Sequence, residues 1–127
     1  MLGAALFAAL AASPVRAQAP EVIYVCIQDE AKIAVVDVNA RAVVRTIDLT
    51  KLGFSANAKP HHIVVEPDGS HWYVTLIGDN RVVKFDKDGK YLMTWGQRGE
   101  AGQGKLETRP SYFNNVHGIA VDPQTRR

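Results

Sequence analysis

Two histidines, His61 and His117, have the strongest claim to chemistry in this 127-residue chain. Each opens a stretch of one pattern: Pro60-His61-His62-Ile63-Val64-Val65-Glu66-Pro67 matches Val116-His117-Gly118-Ile119-Ala120-Val121-Asp122-Pro123 position by position. A neutral imidazole carries protons near physiological pH and is a common zinc ligand. Two histidines fall one short of a site, because zinc takes three or more protein ligands. The same residue at the start of a strand also serves without metal, binding water or capping the strand. Both roles stay open on the residues alone. His62 falls on the opposite face by strand alternation and is left out of the ligand set. His71 follows a turn and is expected to be exposed.

Other groupings that could carry chemistry read as structure. Gly99-Glu100-Ala101-Gly102-Gln103-Gly104-Lys105 satisfies the first seven positions of a phosphate-binding P-loop. Leu106 stands where a Ser or Thr hydroxyl should hold magnesium, and no helix pattern follows, so the stretch reads as a surface connector. Asp37 and Asp86 occupy one repeat position at a strand end, and Glu66 and Asp122 share another before Pro. Carboxylates at such places accept hydrogen bonds from turn amides. No Gly-x-Ser-x-Gly nucleophile elbow occurs. Trp72, Tyr73, Phe85 and Trp95 sit at strand positions suited to packing. Cys26, the single cysteine, excludes an internal disulfide and a cysteine-cluster metal site; its apolar surroundings predict a buried, inert thiol. No residue acquires a catalytic role on these grounds.

A repeated β unit must position the two histidines. Ile23-Tyr24-Val25 returns as Trp72-Tyr73-Val74, and Ile33-Ala34-Val35-Val36-Asp37 returns as Val82-Val83-Lys84-Phe85-Asp86, both 49 residues on. Two anchors at one offset mark a structural repeat. Strands are expected over 21–27, 32–38 and 42–49, and again over 61–66, 71–77, 81–85 and 90–95. Pro67-Asp68-Gly69-Ser70 closes a hairpin in the second set. Connectors cover 50–59 and the glycine-rich 96–115, and a third unit starts at 116. Runs such as Ile63-Val64-Val65 do not alternate, which suits sheets covered on both faces.

Four antiparallel strands in roughly 35–50 residues is the size of one β-propeller blade. The expected fold class is all-β, with antiparallel four-stranded blades in a partial propeller domain over 20–127. Its units are about 21–49, 60–95 and an incomplete 116–127. A closed ring takes about four to eight blades, so an N-terminal fragment is expected, whose partners include the missing C-terminal blades. Unpaired faces and edges predict aggregation of the piece alone. The first strand of each propeller blade lines the central channel, so His61 and His117 are expected to converge on the axis.

Residues 1–19 read as a signal-peptide helix. Leu2 to Ala12 is apolar, and Ala17-Gln18-Ala19 is a small-x-small cleavage site, although no Lys or Arg precedes the apolar run. The run is too short to span a bilayer, which takes roughly 20 apolar residues, so no stable membrane span remains after signal removal. Export with so little cysteine fits a periplasmic or secreted protein. The net charge of +2 is spread without a basic run, which disfavours nucleic acid as a partner.

The residues also resemble known families. Tyr24-Val25-Cys26-Ile27 with the strand ending at Asp37, and Tyr73-Val74-Thr75-Leu76 with the strand ending at Asp86, resemble the YVTN-type β-propeller repeat. Val43-Val44-Arg45-Thr46-Ile47 fits its closing strand. Trp95 to Leu106, followed by Val116 to Pro123, is similar to the NHL repeat. Ile27 and Leu76 replace the closing Asn of YVTN, and Val116 replaces the Pro that usually precedes the NHL histidine. No Trp-Asp dipeptide supports the WD40 class. The resemblance implies an exported propeller that binds or scaffolds a small molecule or protein through its channel and blade loops. It also implies an enzyme alternative: a metal-dependent lyase of the peptidyl-hydroxyglycine lyase type, or a lactonase-type hydrolase. In such lyases channel histidines bind zinc, which carries over only to His61 and His117. Zinc or calcium is the cofactor if that alternative holds.

Overall fold

The computed structural model describes residues 21–98 and 111–125. The expected signal-peptide helix and the P-loop-like stretch lie outside them. Strands β1 (Val22–Ile27), β2 (Lys32–Asp37) and β3 (Ala42–Asp48) form one antiparallel sheet in that order. Strands β4 (Pro60–Val65), β5 (His71–Leu76), β6 (Arg81–Asp86) and β7 (Tyr91–Trp95) form a second. The chain is all-β, and its two meanders have the form of propeller blades, one of them a strand short. β1, β2 and β3 are the repeat equivalents of β5, β6 and β7, so among the described residues the first sheet has no counterpart of β4. Among the described residues no helix is long and apolar enough to cross a membrane.

The turns follow from a few side chains. Asp37 Oδ1 accepts from the Ala40 amide at 2.8 Å and closes the β2–β3 turn. Asp86 Oδ1 accepts from the Asp88 and Lys90 amides, both at 2.9 Å, in the β6–β7 turn. Gly89 completes that turn at φ +77°, a conformation that strains any residue with a Cβ. Asp122 caps the Gln124 amide in the same way at 2.8 Å. The architectural role expected of these aspartates is what their bonds describe.

Aromatic side chains join the sheets. The Tyr24 ring, from β1, stacks on Trp72 of β5 at 4.4 Å, and Trp72 stacks on Phe85 of β6 at 4.2 Å. Ile33, Leu49, Val74, Leu76 and Val83 fill the rest of the buried cluster. Two bonds cross the seam to the β6–β7 turn: Tyr24 Oη donates to the Lys87 carbonyl, and the Arg45 guanidinium donates to that of Asp88. Trp72 and Val74 point to this seam, whereas Tyr73 and Thr75 point to the opposite face of the second sheet. Tyr73 meets the Trp95 ring edge-on at 6.0 Å there. Both faces of β5 are covered, which is why its sequence does not alternate.

The first sheet differs from that expectation. Ile23, Val25 and Val43 lie exposed, because nothing described covers the side of this sheet that faces away from the second, and Val44 is exposed at the irregularity where the β2–β3 register shifts. Two connectors also hold more structure than their composition indicates. Residues Leu49–Leu52 make a 3-10 turn, capped by Asp48 Oδ1 accepting from the Thr50 amide. β8 (Gln97–Arg98) pairs in parallel with β9 (Tyr112–Phe113). The third unit's expected strand does not form: residues 116–121 run without a neighbouring strand among the described residues to complete a ladder.

Candidate functional site

His61 and His117 do come together. Their rings lie 4.8 Å apart at an interplanar angle of 80°, and both residues are exposed. His61 sits at the start of β4, where the β4–β5 register slips between Pro60 and Ile63. Such an irregularity re-aims side chains. It breaks the strict alternation expected of His61 and His62, and both are exposed. The second histidine is held from behind: the Asn115 amide donates to Asn80 Oδ1 at 2.8 Å. One buried hydroxyl then links the two segments. Thr75 Oγ1 accepts from the His62 amide and donates to the His117 carbonyl, each at 3.1 Å.

Thr75 is the positioning residue that sequence reasoning missed. Its signal was a lone hydroxyl inside the apolar run from Tyr73 to Leu76, fully buried in the fold. A buried hydroxyl must find partners, and here those partners are the two histidine-bearing segments.

The ring nitrogens are differentiated by their neighbours. His117 Nδ1 lies 2.7 Å from the Asn115 carbonyl, and His61 Nδ1 lies 3.3 Å from the His117 carbonyl. A carbonyl oxygen has no proton to give, so each Nδ1 donates. Each Nε2 of the neutral ring is therefore left with its lone pair. Metal-binding histidines are held in this way, with the second nitrogen donating to a carbonyl or carboxylate. A third ligand is not assembled: the described residues contain no group of three or more His, Cys, Asp or Glu placed for a metal. Beside the pair lies a cleft of about 280 Å³ lined by Asn57, Lys59, Ile77, Gly78, Asn80 and Asn115. Asn115 belongs to both, since its carbonyl accepts from His117.

A second polar cluster surrounds Glu66, which is only 6% exposed. Tyr73 Oη donates to its Oε1 at 2.5 Å, and Ser70 Oγ donates to Oε2 at 2.9 Å. His71 Nδ1 lies 3.2 Å from Oε2, and Lys84 Nζ lies 3.6 Å from Oε1. His71, expected to be exposed, is instead part-buried by these contacts. Ser, His and an acid adjoin here without forming a catalytic relay. Ser70 and Glu66 both meet His71 at Nδ1, whereas a relay needs the acid on one ring nitrogen and the nucleophile on the other.

The Tyr73 hydrogen bond, followed by those from His71 and Ser70, pulls the Glu66 carboxyl down from 4.5 to about 2 against the opposing effect of burial. A lowered folded-state pKa adds stability above the unfolded value and loses it as pH falls. The melting temperature is therefore expected to drop between pH 4.5 and about 2. Glu66→Gln is expected to flatten that acid limb. An unchanged limb in thermal melts of the variant would remove Glu66 as its cause.

Cys26 is a half-buried free thiol rather than a fully buried one, and desolvation raises its pKa to about 11. It is a poor nucleophile at neutral pH. No protein-family model matches the chain, and no curated protein matches it.

Proposed function

We propose that this chain belongs to an exported β-propeller of YVTN/NHL type that binds a small molecule or protein at the channel end of its blades. The observation carrying this reading is the His61–His117 pair: residues at equivalent places in successive units, 56 positions apart in the chain, with rings 4.8 Å from each other. The neighbouring cleft adds carboxamides and one ammonium, groups that orient a polar ligand. Periplasmic or secreted localisation follows from the leader-like residues 1–19, and the remaining partners are further blades of the same protein.

The arrangement of ring nitrogens favours one second reading, a metal-dependent propeller lyase. Both Nε2 lone pairs are available as zinc ligands, and a third imidazole or carboxylate would complete the set. The lactonase-type alternative has no observation of its own in its favour.

Long-range 15N NMR of the imidazoles tests the binding face directly. Both rings are expected as Nδ1–H tautomers, and added zinc is expected to shift both Nε2 resonances together. His61→Ala is expected to abolish the response at His117 as well. Nε2–H tautomers would sink the metal reading, and independent responses of the two rings would sink the shared face.

A further inference from the structure

The cleft beside the histidines takes its walls from three separate turns, none of them a sheet edge or an uncovered sheet face. Asn57 and Lys59 come from the connector before β4, Ile77, Gly78 and Asn80 from the β5–β6 turn, and Asn115 from the segment after β9. These turns are bonded to one another. The Ile77 amide donates to the Lys59 carbonyl at 3.2 Å, the Gly78 amide to the Ala58 carbonyl at 2.9 Å, and the Asn115 amide to Asn80 Oδ1 at 2.8 Å. Gly78 permits the first two to close up, because a Cβ there would overlap the Asn57 carbonyl oxygen. The walls are fixed before anything enters, which lowers the entropic cost of holding a ligand.

The backbone points to the same place. Lys59, Asn80 and Asn115 all lie in the left-handed region, at φ of 52°, 52° and 54°. Asparagine adopts that conformation readily, and lysine seldom does. Residues held there gather at ligand clamps, where the surrounding structure enforces them.

The polar groups of the cleft share one sign. Among the described residues no aspartate or glutamate lines it. Asp79 stands between Gly78 and Asn80, but its carboxylate lines a different cleft and accepts from the Ser55 amide at 2.9 Å and from Ser55 Oγ at 2.5 Å. Asn80 is only 5% exposed, and its Oδ1 is engaged by the Asn115 amide, so its NH2 donors are what it has to offer a ligand. The Lys59 ammonium pairs with no carboxylate among the described residues. An ammonium and amide donors without a counter-charge are the means of holding an anion.

We propose that this cleft binds the carboxylate of a small organic acid, with the Lys59 ammonium and the Asn80 carboxamide as its donors. One ammonium balances a single negative charge, whereas a phosphate monoester carries about two. Asn115 joins this site to the histidines, since its carbonyl accepts from His117 Nδ1 at 2.7 Å. The inference names the ligand class for the binding reading above and rests on it.

Titration of the full chain with sodium propionate at constant ionic strength, followed by 15N NMR, tests it. The side-chain amide signals of Asn80 and Asn115 are expected to shift and to saturate. Propionamide, the neutral isostere, is expected to leave them in place at the same concentrations. Lys59→Met keeps the length of the stem and is expected to weaken propionate binding about tenfold or more, the factor for losing one charge-assisted hydrogen bond. Asn80→Asp keeps an acceptor for the Asn115 amide but adds a negative charge, and is expected to abolish the response. Signals from β1, β2 and β3 report whether each variant keeps the fold. Equal responses to propionate and propionamide overturn the anion and leave a binding cleft beside the histidines standing. Saturation by inorganic phosphate at lower concentrations than by propionate overturns the carboxylate. Signals that no probe moves, or shifts that survive both substitutions, overturn the site, and the binding reading is then decided separately by the paired response of the two rings to zinc.

Discussion

Urea denaturation of Trp72→Ala is expected to show a loss of about 3–5 kcal/mol, the range for removing a large aromatic side chain from a packed core. Total stability for a domain is only about 5–15 kcal/mol, so the loss is a large fraction of the whole and is expected to lower the urea midpoint markedly. The reason is positional. Trp72 is fully buried and stacks between Tyr24 of one sheet and Phe85 of its own, so its removal empties the middle of the seam. Trp72→Phe separates packing from polarity. The indole Nε1 is buried without a hydrogen-bond partner among the described residues, and an orphaned donor costs about 1–3 kcal/mol. Phenylalanine removes that donor while keeping a ring in the stack, so most of the stability is expected to survive. An alanine variant within about 1 kcal/mol of the parent would show that the sheets do not depend on this stack.

Gly78→Ala is the second large effect. A Cβ at Gly78 would overlap the Asn57 carbonyl oxygen and come within 2.8 Å of its carbon. The turn cannot retreat without breaking the bonds from the Ile77 amide to Lys59 and from the Gly78 amide to Ala58, at 3.2 and 2.9 Å. Overpacking against backbone costs about 1–3 kcal/mol or more, because main chain yields less readily than a side chain. The same residue lines the asparagine cleft beside the histidines. The expected result is a lower urea midpoint together with broadened His117 imidazole resonances. A variant with the parent's midpoint and sharp His117 signals would show that residues 57–59 move freely.

The strand plan was legible because the repeat reports it twice. Two anchors at one offset fix the same strand order in both units, and the observed strand ends differ from the expected ones by about a residue, as is usual for such boundaries. The meeting of His61 and His117 was legible for the same reason, since equivalent places in adjacent units become neighbours. What could not be read were features created by contacts between segments. Residues 116–121 have strand composition, but a strand exists only where another lies beside it. Glu66 looks like an exposed turn residue, and its burial arises because the hairpin folds Tyr73 and Lys84 over it. The cross-strand pairing of Tyr73 with Lys84 was the available hint, visible once the β5–β6 register is known. Thr75 is a comparable case: its hydroxyl is an anomaly in the sequence and a hinge pin between two segments in the fold.

The aromatic stack also makes the molecule an optical gauge of itself. The chain has two tryptophans, and only Trp72 lies between rings contributed by both sheets, while Trp95 meets Tyr73 on the far side. Separation of the sheets would wet the Trp72 indole and move its emission to longer wavelength, leaving Trp95 in place. With Trp95 replaced by phenylalanine, a single emitter would report in real time whether the two sheets part before either one unravels.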